Sequence, residues 1–158
     1  MWYAIIEEAK SIQKKGPDME FRNFGDMMVV RLDKGDKIAE SLLKAVKAER
    51  LTAASVPGIG AVDDFEVGVF DLEKSDYNRI RYTGNHEINA LVGNLTTKDG
   101  APYLHLHITC TGKDGRVVGG HLFDGNVSLT AEIYVRPFDG LTDRKYDETL
   151  GINKIRFE

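Results

Sequence analysis

The sequence predicts a single α+β domain: a mostly antiparallel sheet with one main helix packed on it, preceded by an extra N-terminal amphipathic helix. Three observations carry this reading. The length of 158 residues fits one domain and suffices to bury a core without disulfides. Only two stretches carry helical periodicity. A long series of short β-favouring runs, many bounded by Gly, Asn or Asp, fills most of the rest.

The first helical stretch sets Trp2, Ile5, Ile6, Ala9 and Ile12 on one face and Glu7, Glu8, Lys10, Lys14 and Lys15 elsewhere. Gly16-Pro17 stops it. The second places Ile38, Leu42, Leu43 and Val46 in a buried stripe, with Asp36 as its N-cap. Strand-like runs follow at Met27 to Leu32, Ala53 to Val56, Phe65 to Asp71, Arg79 to Tyr82, Ile88 to Thr96, Tyr103 to Thr111, Arg116 to Phe123 and Ser128 to Arg136. Phe138 to Thr149 reads as polar loop, and Ile152 to Phe157 as a last edge strand.

Composition narrows the function classes. The formal net charge of −4 and pI near 5.6 argue against a domain that grips nucleic acid through phosphates, which needs a basic stripe. Cys110 is the single cysteine, so no intrachain disulfide forms. No apolar run approaches the roughly 20 residues needed to span a bilayer. Glu7, Glu8 and Lys10 interrupt any signal-peptide core. These features point to a cytoplasmic protein with no membrane association.

Chemistry concentrates in one hairpin. From Tyr103 to Thr111, Leu104, Leu106, Ile108 and Cys110 alternate with Tyr103, His105, His107, Thr109 and Thr111. His105 and His107 therefore share the polar face, roughly 6.5–7 Å apart along the strand. Lys113-Asp114-Gly115 has the composition of a three-residue hairpin loop. That loop sets Gly112 opposite Arg116 and hence His107 opposite His121, while Leu106 meets Leu122 and Cys110 meets Val118. A slip of one residue would send His121 to the other face. Opposed side chains stand about 4.5–5.5 Å apart at Cβ, close enough for imidazoles to share a cation.

Three neutral imidazoles suit a divalent metal, Zn²⁺ first, and leave one coordination position open. Gly119 and Gly120 remove bulk beside His121. Lys98-Asp99-Gly100, if it turns the same way, brings Gly93 opposite His105, although Pro102 weakens that register. The plainer alternative is an ordinary hydrogen-bonded histidine pair, or histidines at a subunit contact. Glu87 is the candidate general acid or base if its strand borders the site, and Asn89 and Asn94 could orient a ligand. A solvated carboxylate is the simpler account of Glu87. Gly58-x-Gly60 is too short for a phosphate-binding fingerprint. Arg79, Arg81 and Lys74 are scattered among carboxylates and form no nucleic-acid patch.

Pro102-Tyr103-Leu104-His105-Leu106-His107, followed by Gly119-Gly120-His121-Leu122, resembles the plant-and-prokaryote conserved (PPC) domain. Glu87 with Leu91-Val92-Gly93-Asn94, Gly58-Ile59-Gly60-Ala61 and Thr130-Ala131-Glu132 support the match. The similarity runs from about Met19 to Phe157, giving a 19–158 domain after a helical extension over 1–17. The resemblance implies an α+β domain that associates as a homotrimer, stand-alone in prokaryotic members and in some cases carrying a metal at the positions of His105, His107 and His121. A small-molecule or protein partner is compatible with it. Plant members add AT-hooks of Arg-Gly-Arg-Pro type; the absence of such a segment here argues against direct DNA binding.

Overall fold

The computed structural model describes residues 14–15, 19–140 and 142–157. In chain order the elements are β1 (Lys14–Lys15), β2 (Met19–Phe24), β3 (Met27–Asp33), α1 (Ile38–Ala48), β4 (Ala54–Ser55) and β5 (Gly58–Asp71). They continue with β6 (Asp76–Lys98), β7 (Ala101–Gly112), β8 (Val117–Pro137), β9 (Asp143–Asp147) and β10 (Ile152–Arg156).

The expected α+β class is overturned. Among the described residues one 11-residue helix accompanies ten strands joined in a single sheet, so the described fold is predominantly β. The expected N-terminal helix falls mostly on residues outside the described ones. At its predicted end, Lys14 and Lys15 pair as strand with Phe21 and Glu20.

The physical reason lies in the strands. Runs that read as separate are continuous: Arg79–Tyr82 and Ile88–Thr96 belong to the 23-residue β6, and Arg116–Phe123 and Ser128–Arg136 fall largely within the 21-residue β8. The glycines and polar residues between the runs bend strands rather than end them. Register shifts interrupt the β5–β6 pairing between Val62 and Asp64, and the β6–β7 pairing between Ile88 and Ala90. Bulges of this kind add twist and curvature without breaking the sheet. Met19–Phe24 forms a further strand outside the predicted runs, and within the predicted polar tail Asp143–Asp147 forms β9.

The curvature closes the sheet on itself. β5 pairs with β6 and β8, and β7 pairs with the same two strands, so these four form a ring. β3, β2 and β1 extend outward from β8, and the β9–β10 hairpin extends from β6. A parallel contact, Thr97 with Asp143, makes the sheet mixed.

Helix α1 forms where the 3.6-residue stripe predicts it and buries Ile38, Leu42, Ala45 and Val46 against β8, β7 and β3. Full burial of each large aliphatic side chain contributes about 1.5–3 kcal/mol. Lys37, not Asp36, is the N-cap, and its side chain makes no capping bond. The Asp36 carboxylate instead accepts from the Asp33 amide. Reciprocal bonds from Gly35 N to Val127 O and Val127 N to Asp36 O tie the helix entry to β8. Phe65, Leu91, Leu95, Leu106, Ile108, Cys110 and Ile133 belong to the same core cluster.

Candidate metal centre

The β7–β8 hairpin folds in the register its sequence requires. Gly112 N donates to Arg116 O across Lys113-Asp114-Gly115, and Gly115 takes φ +79°. His107 pairs with His121 and Cys110 with Val118. Leu106, Ile108 and Cys110 are buried, whereas His105 and His121 are half-buried and His107 is exposed. Alternation therefore delivers both β7 histidines to the face that His121 enters from β8.

The three imidazoles converge. One nitrogen from each ring lies within 4.8 Å of the others. Ring centroids stand 5.1 Å apart for His105–His107, 5.1 Å for His105–His121 and 5.5 Å for His107–His121. His105 and His107 approach Nε2 to Nε2 at 3.3 Å. Nδ1 of His121 is buried without a hydrogen-bond partner among the described residues, a condition that ordinarily costs free energy. A donor set of three imidazole nitrogens fits a borderline divalent cation of the Zn²⁺ kind.

The first hairpin differs from expectation. Lys98 pairs with Ala101 across a two-residue Asp99-Gly100 turn, both residues at positive φ (52° and 76°), as a type I′ turn demands. Gly93 thus faces Leu106, and Asn94 faces His105. A Cβ on Gly93 would nonetheless overlap the His105 carbonyl oxygen. A Cβ on Gly119 would overlap Ile108 O, and one on Gly120 would meet Gly68 O at 2.7 Å. These three glycines permit close strand approach around the histidines; it is backbone, not the imidazole rings, that needs the space.

Glu87 is exposed opposite Thr111 and lies outside the cluster of ligating groups. Asn89 is occupied with Thr111, exchanging bonds at 2.7 and 3.1 Å. Asn94 does reach the site, through a residue that sequence reasoning missed. Arg144 on β9 is only 6% exposed. Its Nη2 donates to Asn94 Oδ1 at 2.8 Å and lies 3.5 Å from His105 Nδ1. Nε donates to Thr96 Oγ1 and Nη1 to Asn153 O. No local signal marks Arg144, because only the unforeseen β9 and its pairing with β6 bring it beside His105.

On the other flank, Tyr77 lies 4.9 Å from His121 with rings 30° apart, and Phe123 meets the same ring edge-on at 4.9 Å. Arg79 covers Phe123 with its guanidinium carbon 3.8 Å from the ring centroid. A cavity of about 860 Å³ is lined by Lys98, Asp143, Arg144, Lys145 and Tyr146 and by none of the three histidines.

Burial, then the neighbouring Arg144 and His107, lowers the His105 pKa. Burial, then His105, His107 and Arg79, pulls His121 down to about 4. Both rings are thus neutral donors at pH 7. For the metal-free protein the sign is definite: the unfolded chain takes up a proton on His121 near pH 6.5, and the folded chain does so only near 4. The favourable contribution of neutral His121 is complete above pH 6.5 and is lost as pH falls toward about 4. The thermal midpoint of metal-stripped protein is expected to drop across that window, and less steeply in His121→Asn. Parallel profiles for the two proteins would refute this.

Solved structures share the arrangement of the chain. A metal-containing protein from Archaeoglobus fulgidus is 33% identical, with a TM-score of 0.79 over 91% of this chain and 100% of that one. A plant- and prokaryote-conserved protein from Pyrococcus horikoshii is 27% identical, with a TM-score of 0.78 over 92% and 99%. A candidate DNA-binding protein from Bacteroides thetaiotaomicron is 26% identical, with a TM-score of 0.85 over 88% and 97%. No curated protein matches the chain in sequence. Residues 19–139 match the family described as the Plants and Prokaryotes Conserved (PCC) domain.

Proposed function

Because this chain belongs to the Plants and Prokaryotes Conserved domain family, we propose that it is a metal-binding member in which His105, His107 and His121 hold one divalent cation, Zn²⁺ first. The observation that carries the reading is the convergence of three imidazole nitrogens within 4.8 Å. The unpartnered Nδ1 of His121 and the metal-containing relative from Archaeoglobus fulgidus support it. A bound ion of this kind supplies Lewis acidity at its open position. Metal analysis of purified protein, set against a triple His→Ala variant, tests the proposal: about one equivalent is expected in the first and none in the second. Equal content would remove the site.

Association as a homotrimer in the cytoplasm belongs to the same proposal and rests on the family. Leu72, Leu129, Val69 and Val117, each more than 60% exposed in the single chain, are available for subunit contacts. Sedimentation equilibrium checks it, with a mass three times the 17.6 kDa chain expected; a monomer would refute it. No described helix is long and apolar enough to cross a membrane.

A DNA-binding module is the competing reading, drawn from relatives described in those terms. The surface does not favour it. Arg31, Arg79, Arg81 and Arg136 each face a carboxylate, from Asp33, Glu66, Asp64 and Asp26, and the net charge is −4. Titration with duplex DNA at physiological salt is expected to give nothing tighter than the non-specific range of roughly 10⁻⁴–10⁻⁶ M. A nanomolar complex would replace the metal reading as the primary function.

A further inference from the structure

As metal ligands the three imidazoles would be neutral donors, and the arginines that act on His105 and His121 are Arg144 and Arg79. Arg144 is buried, and its hydrogen-bond acceptors are a threonine hydroxyl, an asparagine amide, a backbone carbonyl and His105 Nδ1. None of them is a carboxylate. On the opposite flank the Arg79 guanidinium stacks on Phe123, whose ring touches His121. Its contact with Glu66 is 3.6 Å, too long for a hydrogen bond. Among the described residues Arg79 makes no side-chain hydrogen bond; Glu66 pairs with it only at ion-pair distance, so its donors stay open to a closer acceptor.

A divalent ion on three neutral donors keeps its full charge. With two guanidinium groups beside it, only Arg79 of them paired with a carboxylate, and no carboxylate in the ligating group, the loaded site would carry a net positive charge. Such a site demands an anion from solution. Guanidinium geometry matches a carboxylate in bidentate fashion, and Tyr77 and Phe123 form an apolar wall alongside.

We propose that the site binds a small organic carboxylate, its anionic group shared between Arg79 and the open position left by His105, His107 and His121, its carbon body against Tyr77 and Phe123. This rests on the metal reading above and names the ligand class of the same site.

The test uses Co²⁺ as a visible probe, acetate as the anion and acetamide as its uncharged counterpart. Wild-type protein is expected to take up one Co²⁺, and acetate to change the cobalt absorption saturably while acetamide does not. Arg79→Gln is expected to weaken acetate about tenfold while holding Co²⁺ as tightly or more tightly, because a repelling charge is gone. Arg79→Lys recovers part of the acetate affinity. Opposite effects on cation and anion separate recognition from damage to the fold, and Arg79, about half exposed at its side chain, leaves the core untouched. Unchanged acetate affinity in Arg79→Gln, or no saturable response in cobalt-loaded wild type, overturns the carboxylate proposal and leaves the metal site standing. Failure of wild type to take up Co²⁺ overturns both.

Discussion

Addition of Zn²⁺ to metal-free protein is expected to raise the thermal midpoint by roughly 5–10 °C, and His121→Ala is expected to abolish the shift. A ligand at one hundred times its dissociation constant stabilises the native state by about 2.7 kcal/mol. In a domain of this size each kcal/mol moves the midpoint by about 2–4 °C. The histidines lie on two strands joined by a three-residue turn, so native register alone assembles them, and the unfolded chain has no comparable site. His121 is the most informative single substitution, because it removes the nitrogen left unpartnered in the metal-free fold. His107→Ala removes the most exposed donor of the three, so its cost falls mainly on the metal. Scanning calorimetry with and without Zn²⁺ measures all of this. An unchanged midpoint in wild type would contradict the metal site; an undiminished shift in His121→Ala would contradict the assignment of its ligands.

Gly93→Ala is expected to cost about 3 kcal/mol, at the upper end of the overpacking range, and to weaken Zn²⁺ binding as well. The added methyl would overlap the His105 carbonyl oxygen and press Leu106 Cδ2 at 2.9 Å. Backbone cannot rotate away as a side chain can, so β7 must shift at the residue that carries one of the three imidazoles. Displacing a supporting element of a metal site typically costs about 10–100-fold in affinity. Thr109→Ala, exposed on the same strand, serves as control and is expected to fall within about 0.5 kcal/mol. Urea denaturation and a zinc titration of both variants check the pair. A Gly93→Ala protein as stable as the control would mean that the strands part freely at this point.

The two hairpins show how far the sequence could be read. Each carries Lys-Asp-Gly, yet the first closes over two residues and the second over three. Turn composition alone could not separate them, and the reading that placed Gly93 against His105 assumed they were alike. A further signal was present. The observed register puts buried Leu91 against Ile108 and buried Leu95 against Leu104; the alternative would have set both leucines against the polar face. Helix α1 was legible because its stripe is strictly periodic. The fold class was not, because a glycine or asparagine that bends a strand looks the same as one that ends it. The histidine cluster was legible because it depends on one hairpin. Arg79, Tyr77 and Arg144 were not, because they arrive from β6 and β9 through long-range pairings.

The position of Arg144 has a practical side. The family match ends at residue 139, and β9 begins at Asp143. A shortened protein trimmed to the matched segment would retain every imidazole and discard the guanidinium that braces Asn94 and borders His105. Cation uptake by such a fragment would say little about the intact chain, since the buried positive charge beside His105 would have been cut away with the last hairpin.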